Sequence, residues 1–128
     1  MHRDVEKVEQ IYRAFGRRNL ESALHVMAEK VEIIQSPELP WGGQYVGHDG
    51  VKQFVAVLTQ HLDSRVVIER FIDAGEHIVA VGQTVGKARA TNLEFEIPFV
   101  HVWTFHEGQV IRFQPYIDNA TMLAALGS

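Results

Sequence analysis

From Ile97 to Phe105 the chain alternates strictly. Ile97, Phe99, His101, Trp103 and Phe105 fall on one face, and Val100, Val102 and Thr104 on the other, the two-residue period of a β-strand. Glu107-Gly108 follows, a pair able to take the positive φ angles of a tight hairpin, so Ile97 to Asn119 is expected to form one long β-hairpin. The N-terminal third has a different period. Val5, Val8, Ile11, Tyr12 and Phe15 are spaced as one buried stripe of a helix, with Asp4 as its cap. Gly16 to Asn19 ends it, and Asn19 is placed to cap a shorter helix carrying Leu20, Ala23, Leu24 and Met27. Val31 to Gln35 has strand character and stops before Pro37 and Pro40. Glu38 to Gly50 is expected to be a glycine-rich loop, after which Asp49 caps a third helix with Val51, Phe54, Leu58 and Leu62 facing inward. Strands are then expected at Val66 to Ile72, Ile78 to Val85, roughly Lys87 to Phe95, Ile97 to Phe105 and Gln109 to Ile117, with a last short helix from Met122 to Leu126. Helices first and a strand meander after is an α+β order, in which helices cover one face of a curved antiparallel sheet. Gly82 and Gly86 suit the bends that such curvature needs.

Composition narrows the class without naming a function. At 128 residues, 46% hydrophobic and 22% charged, the chain is expected to be a single domain over residues 1–128. A net charge of −4 with both signs interspersed gives no electrostatic footprint for nucleic acid or an anionic membrane. No apolar run approaches the roughly 20 residues that span a bilayer, and the opening MHRDVEKVEQ is too polar for a signal peptide. With no cysteine, disulfides, thiol catalysis and thiolate metal sites are excluded, which fits a cytoplasmic protein. None of the seven histidines stands in HxH or HExxH spacing, and His101 and His106, five apart on a strand, point to opposite faces. No metal site and no cofactor are therefore expected. His2, His25, His48, His61 and His77 are read as surface residues, and Arg17-Arg18 as a solvated pair.

Three stretches carry a family resemblance across essentially the whole chain: YRAFGRRNLESAL at Tyr12 to Leu24, WGGQYVGHDGV at Trp41 to Val51, and the ending HVWTFHEGQVIRFQPYID. In this order the sequence resembles the ketosteroid isomerase and SnoaL-like superfamily, also called nuclear-transport-factor-like. The resemblance implies a cone, with helices wrapping a strongly bent sheet around an interior ligand pocket and the sheet's outer face making a homodimer. In the isomerases a helix tyrosine and a neutral carboxylic acid on a central strand hold the oxyanion. Tyr12 falls at the tyrosine position and His101 at that of the acid. The isomerase base is an aspartate at the end of the first long strand, where this chain has Gln35 and Ser36. The arginine and aspartates of the related epoxide hydrolases correspond to Gln83, Val85 and Pro115, so that constellation is absent.

Asp118 is the one late-strand carboxylate, and its direction depends on register. A plain two-residue turn at Glu107-Gly108 places Arg112, Gln114, Tyr116 and Asp118 on the face of His101. A β-bulge near the turn instead turns Ile111, Phe113, Pro115 and Ile117 inward, the set favoured by the resemblance, and leaves Asp118 to cap the last helix or to pair with Arg112. Each candidate has a plain structural reading beside the chemical one. Tyr12 is a satisfied buried tyrosine or a catalytic donor, His101 a core histidine or an acid/base, and Trp103 a core residue or a ligand platform. Trp41 and Tyr45, standing among Gly42, Gly43 and Gly47, are expected at the rim of a ligand site or in a dimer contact. The leading expectation is a mostly apolar pocket lined by Tyr12, Phe15, Ile33, Gln35, Phe54, Leu58, Gln83, Phe99, His101, Trp103 and Phe113. It would take a steroid-, terpenoid- or polyketide-like molecule. Any chemistry would be cofactor-free isomerisation, cyclisation or dehydration, with His101 moving the proton and Tyr12 holding the oxyanion. The rival is a non-catalytic dimeric carrier or assembly module on the same fold. The apolar face bearing Val100, Val102 and Thr104 predicts a homodimer in either case.

Overall fold

The computed structural model describes residues 2–127. Helix α1 (His2–Gly16) buries Val8 and Ile11, the middle of the predicted stripe, together with Ala14. Asp4, expected as its cap, lies inside the first turn instead, where its charge still favours the helix N-terminus. Helix α2 (Leu20–Leu24) is capped as expected, the Asn19 carboxamide oxygen accepting from the Ser22 N–H. Strand β1 (Met27–Gln35) leads into a tight loop and then a short strand, β2 (Gly43–Val46), inside the segment expected to be all loop. Helix α3 (Gly47–His61) begins directly at the end of β2, with no side-chain cap, so Asp49 sits in its first turn and does not cap it.

Three long strands follow: β3 (Leu62–Ala74), β4 (His77–Ala88) and β5 (Glu94–His106). The separate strand expected at Lys87 to Phe95 does not form. Its two ends belong to β4 and β5, and residues between them make the turn, in which Asn92 takes a positive φ of 62°. Strand β6 (Gln109–Ile117) and helix α4 (Asn119–Ala125) complete the described chain.

The six strands form one sheet in the order β2-β1-β6-β5-β4-β3. Every pairing is antiparallel except β1 with β6, which run parallel, a departure from the all-antiparallel sheet expected. The β5–β6 hairpin turns at Glu107-Gly108, with φ of 49° and 79°. The bulge is present. His106 faces Gln109 and Phe105 faces Val110, but Thr104 faces Arg112, so one extra residue on β6 restores the inward parity of Phe113, Pro115 and Ile117. On β4, a Cβ at Gly82 would stand 2.1 Å from the Val67 carbonyl oxygen, so the close approach of β3 across the bend depends on glycine there.

Helices cover the inner face only. Against them pack Ile33, Ile78, Ile97, Trp103, Phe105, Val110 and Phe113, joined by Val8, Ile11, Val51 and Phe54 from the helices. The fold is α+β: a bent, unclosed sheet with helices on its concave side, the cone architecture.

Candidate functional site

Strand alternation puts Phe99, His101 and Trp103 on the concave face of β5, and α1 lays Tyr12 over them. The Trp103 indole N–H donates to the Tyr12 hydroxyl oxygen at 2.9 Å. That hydroxyl lies 2.6 Å from Nδ1 of His101. The Tyr12 oxygen accepts from Trp103, and among the described residues its one proton has no acceptor other than Nδ1. The arrangement that leaves no buried hydroxyl proton unpaired is therefore donation to a neutral imidazole. Burial supplies the neutrality, driving the His101 pKa down to about 3. Burial likewise raises the Tyr12 pKa, and the Trp103 hydrogen bond offsets only part of that rise. Both groups are therefore uncharged at neutral pH, and the tautomer follows from the count of protons: Nδ1 accepts, Nε2 carries the hydrogen.

The chain Trp103 to Tyr12 to His101 thus runs in one direction and ends in the Nε2–H. Among the described residues this group has no partner, the Tyr12 contact being the only hydrogen bond of His101. Nor is it sealed in, since among the described residues the only fully enclosed and unpaired side-chain polar atom is Nε of Arg112. Rings wall it: Phe99 stacks on the imidazole at 3.8 Å, Phe113 meets it edge-on at 5.1 Å, and Trp103 stacks on Phe113 at 4.0 Å. What such an arrangement offers a ligand is one neutral, pre-oriented hydrogen-bond donor in aromatic surroundings. A histidine whose pKa burial holds near 3 is neutral at pH 7, the form in which a ring N–H can donate to a ligand.

The remaining expected site residues separate into three groups. Ile33 and Phe54 are core, with Phe15 and Leu58 packed against it at partial exposure, and Gln35 is buried on the inner face of β1. Trp41 and Tyr45 are not a rim. Trp41 is 2% exposed and lies against the His61 ring, while the Tyr45 hydroxyl donates to the Trp41 carbonyl at 3.1 Å and its ring meets Phe54. The glycines around them let this loop fold inward. Gln83 and Asp118 leave the site altogether. Gln83 pairs with Val67 and Pro98 on the outer face and reaches Glu69, because the inward positions of β4 are Ile78, Ala80 and Gly82. Asp118 is exposed and caps α4 by accepting from the Thr121 N–H, a bond that holds its carboxyl below the usual range. Ser36, at the expected base position, is tied to Asn119 at 2.9 Å. His48 and His61, read as surface residues, are half-buried, His48 bonding the Met27 carbonyl.

One site residue escapes the sequence pattern. Phe71 comes within 6.3 Å of the Tyr12 ring. A bulge at Glu69 shifts the parity of β3 in its middle, and the broken alternation of VVIERFID was the only trace of it. Two open hollows of about 260 and 550 Å³ also occur, but both lie along β3, β4 and β5 at residues such as Arg65, Glu69, Lys87 and Glu96, away from His101. No group of three or more potential metal ligands occurs among the described residues.

Residues 8–113 match the family model of the SnoaL-like domain. The chain belongs to the SnoaL-like family. Among curated proteins none matches it. Solved structures resemble this SnoaL-like chain over its whole length. An NTF2-like protein of unknown function from Burkholderia pseudomallei K96243 is 30% identical, with a TM-score of 0.93 and 100% of each chain covered. TerC, co-crystallised with polyporic acid, is 25% identical with a TM-score of 0.90, covering 98% of this chain and 99% of its own. A protein with a ketosteroid isomerase-like fold from Catenulispora acidiphila DSM 44928, in complex with trimethylamine, is 17% identical with a TM-score of 0.81, covering 95% and 92%. The last likeness concerns the fold alone.

Proposed function

We propose that this SnoaL-like protein binds a small, largely apolar carbonyl compound on the concave face of its sheet and polarises the carbonyl through the Nε2–H of His101. The observation that carries this reading is the one-way hydrogen-bond chain from Trp103 through Tyr12 to His101, which ends in a donor without a protein partner. A fixed donor in low-dielectric surroundings stabilises negative charge that develops on an oxygen. The relative crystallised with polyporic acid supports a small organic ligand.

With Gln35 and Ser36 where a carboxylate base would stand, the chemistry best served is one that activates an electrophile. In a cofactor-free ring closure, the substrate's own enol supplies the carbon nucleophile. Its electron pair forms the new carbon–carbon bond, the carbonyl π pair moves onto the oxygen held by His101, and the enol proton passes through solvent to that oxygen. A non-catalytic carrier is the second reading, favoured by the lack of a base among the groups around His101.

Either reading is served by a homodimer through the outer sheet face, where Ile34, Val67, Ile72, Val100 and Tyr116 are 38–54% exposed. Isotope-edited infrared spectroscopy of carbonyl-labelled 1-tetralone tests the carbonyl contact. The C=O band is expected to move to lower frequency on binding, and to return to its apolar-solvent position in His101→Leu. A band that does not move, or one that moves equally in the variant, defeats the proposal.

A further inference from the structure

The pairings across the sheet arrange the concave face in rows. One row is filled by large groups: Tyr45, Ile33, Phe113, Trp103 and Ile78, each paired with the next. The adjacent row is built differently. His101 pairs with Ala80 on one side and Pro115 on the other, and two residues beyond Ile33 and Phe113 on the parallel strands stand Gln35 and Pro115, with Gly43 opposite Gln35. This row therefore holds two polar side chains, Gln35 and His101, separated and flanked by small or flat residues. Ala80 and Phe99, though buried, are not members of the contiguous apolar core.

Gln35 is 5% exposed, yet its carboxamide makes no hydrogen bond among the described residues. Its amide therefore holds donor and acceptor capacity that no group among the described residues takes up. Like the Nε2–H of His101, this amide is not enclosed by packed atoms, the one enclosed orphan being Nε of Arg112. Both groups lie on the concave side of the sheet with hydrogen-bonding capacity that no described residue takes up. They stand two strands apart, which puts their backbones about 10 Å from each other, with the Pro115 ring between them as a flat apolar floor.

We propose that the Gln35 carboxamide is a second polar anchor, and that the ligand is an uncharged, flat molecule bearing two oxygen functions across its length. The first is a carbonyl for the His101 donor. The second is a hydroxyl or carbonyl for Gln35, whose amide both donates and accepts. No charged side chain stands in the row, so a free carboxylate or ammonium on the ligand finds no counter-ion there. This inference rests on the carbonyl-binding reading above and adds the substrate class to it.

The experiment compares the binding of 6-hydroxy-1-tetralone, which carries both oxygens, with that of 1-tetralone, which carries the carbonyl alone. Calorimetry gives each Kd for the wild type, for Gln35→Met, which keeps length and removes the amide, and for Gln35→Leu as a second variant; thermal unfolding confirms that each is folded. The wild type is expected to prefer the hydroxylated ketone by roughly three- to tenfold, one hydrogen bond's worth, and the ratio of the two Kd values is expected to fall to about one in both Gln35 variants. Binding of both ketones by the wild type without preference, or a preference that survives in a folded Gln35 variant, overturns the role of Gln35 and leaves the His101 reading standing. If the wild type binds neither ketone, both readings fall.

Discussion

His101 is where sequence and environment contend. Its residue type promises titration near neutrality; burial among Phe99, Phe113 and Tyr12 cancels that promise. The sign of the resulting pH dependence is fixed. The folded state takes up the imidazole proton only near pH 3, the unfolded chain already near 6.5. Between these values the unfolded state binds more protons, so stability is full above about pH 6.5 and is lost as the pH falls. The loss is on the order of a few kcal/mol for this one group. Urea unfolding at pH 7, 5.5 and 4 is expected to show a wild-type decline that is distinctly shallower in His101→Leu; parallel declines would contradict it. Tyr12→Phe is expected to cost about 1–3 kcal/mol, because it leaves both the Trp103 N–H and Nδ1 of His101 without their partner. Equal urea midpoints for this variant and the wild type would count against the hydrogen-bond chain.

Among the elements, periodicity made most of the fold legible. The apolar stripe of α1, the alternation of β5, the glycine turn and the parity of β6 all stand in the letters of the sequence. What could not be read depends on contacts between segments distant in the chain. Trp41 was expected at a rim because its neighbours are glycines, whereas those glycines let the loop turn it into the core. Gln83 was expected to line the pocket, but parity along β4 follows Ile78, Ala80 and Gly82. The bulge at Glu69, which brings Phe71 to the site, has no side-chain signature of its own. Bends are where a single atom decides between elements. Gly82→Ala would set a methyl 2.1 Å from the Val67 carbonyl oxygen and is expected to cost roughly 1–3 kcal/mol as β3 is pushed off β4. Thermal unfolding of the variant measures it, and an unchanged midpoint would mean that the two strands part without cost.

For the whole molecule, the uncovered side of the sheet is where the proposed homodimer forms. Val100 is 40% and Tyr116 54% exposed on a face that no helix reaches, more apolar surface than a lone domain usually leaves wet. Sedimentation at micromolar concentration is expected to give a dimer for the wild type and a monomer for Val100→Glu; a monomeric wild type would remove the proposal. The parallel pairing of β1 with β6 has a consequence of another kind. Strand β1 is made early and its partner almost last, and the two hydrogen bonds that close the site, from Tyr12 to His101 and from Trp103 to Tyr12, span 89 and 91 residues. While the chain is still leaving the ribosome, β1 can pair with β2 and pack on α3, but its other edge and the part of α1 that meets β5 stay open until β5 and β6 emerge. Closure of the site therefore waits until β6 has emerged, and until then the apolar faces of the earlier elements are the ones a chaperone would cover.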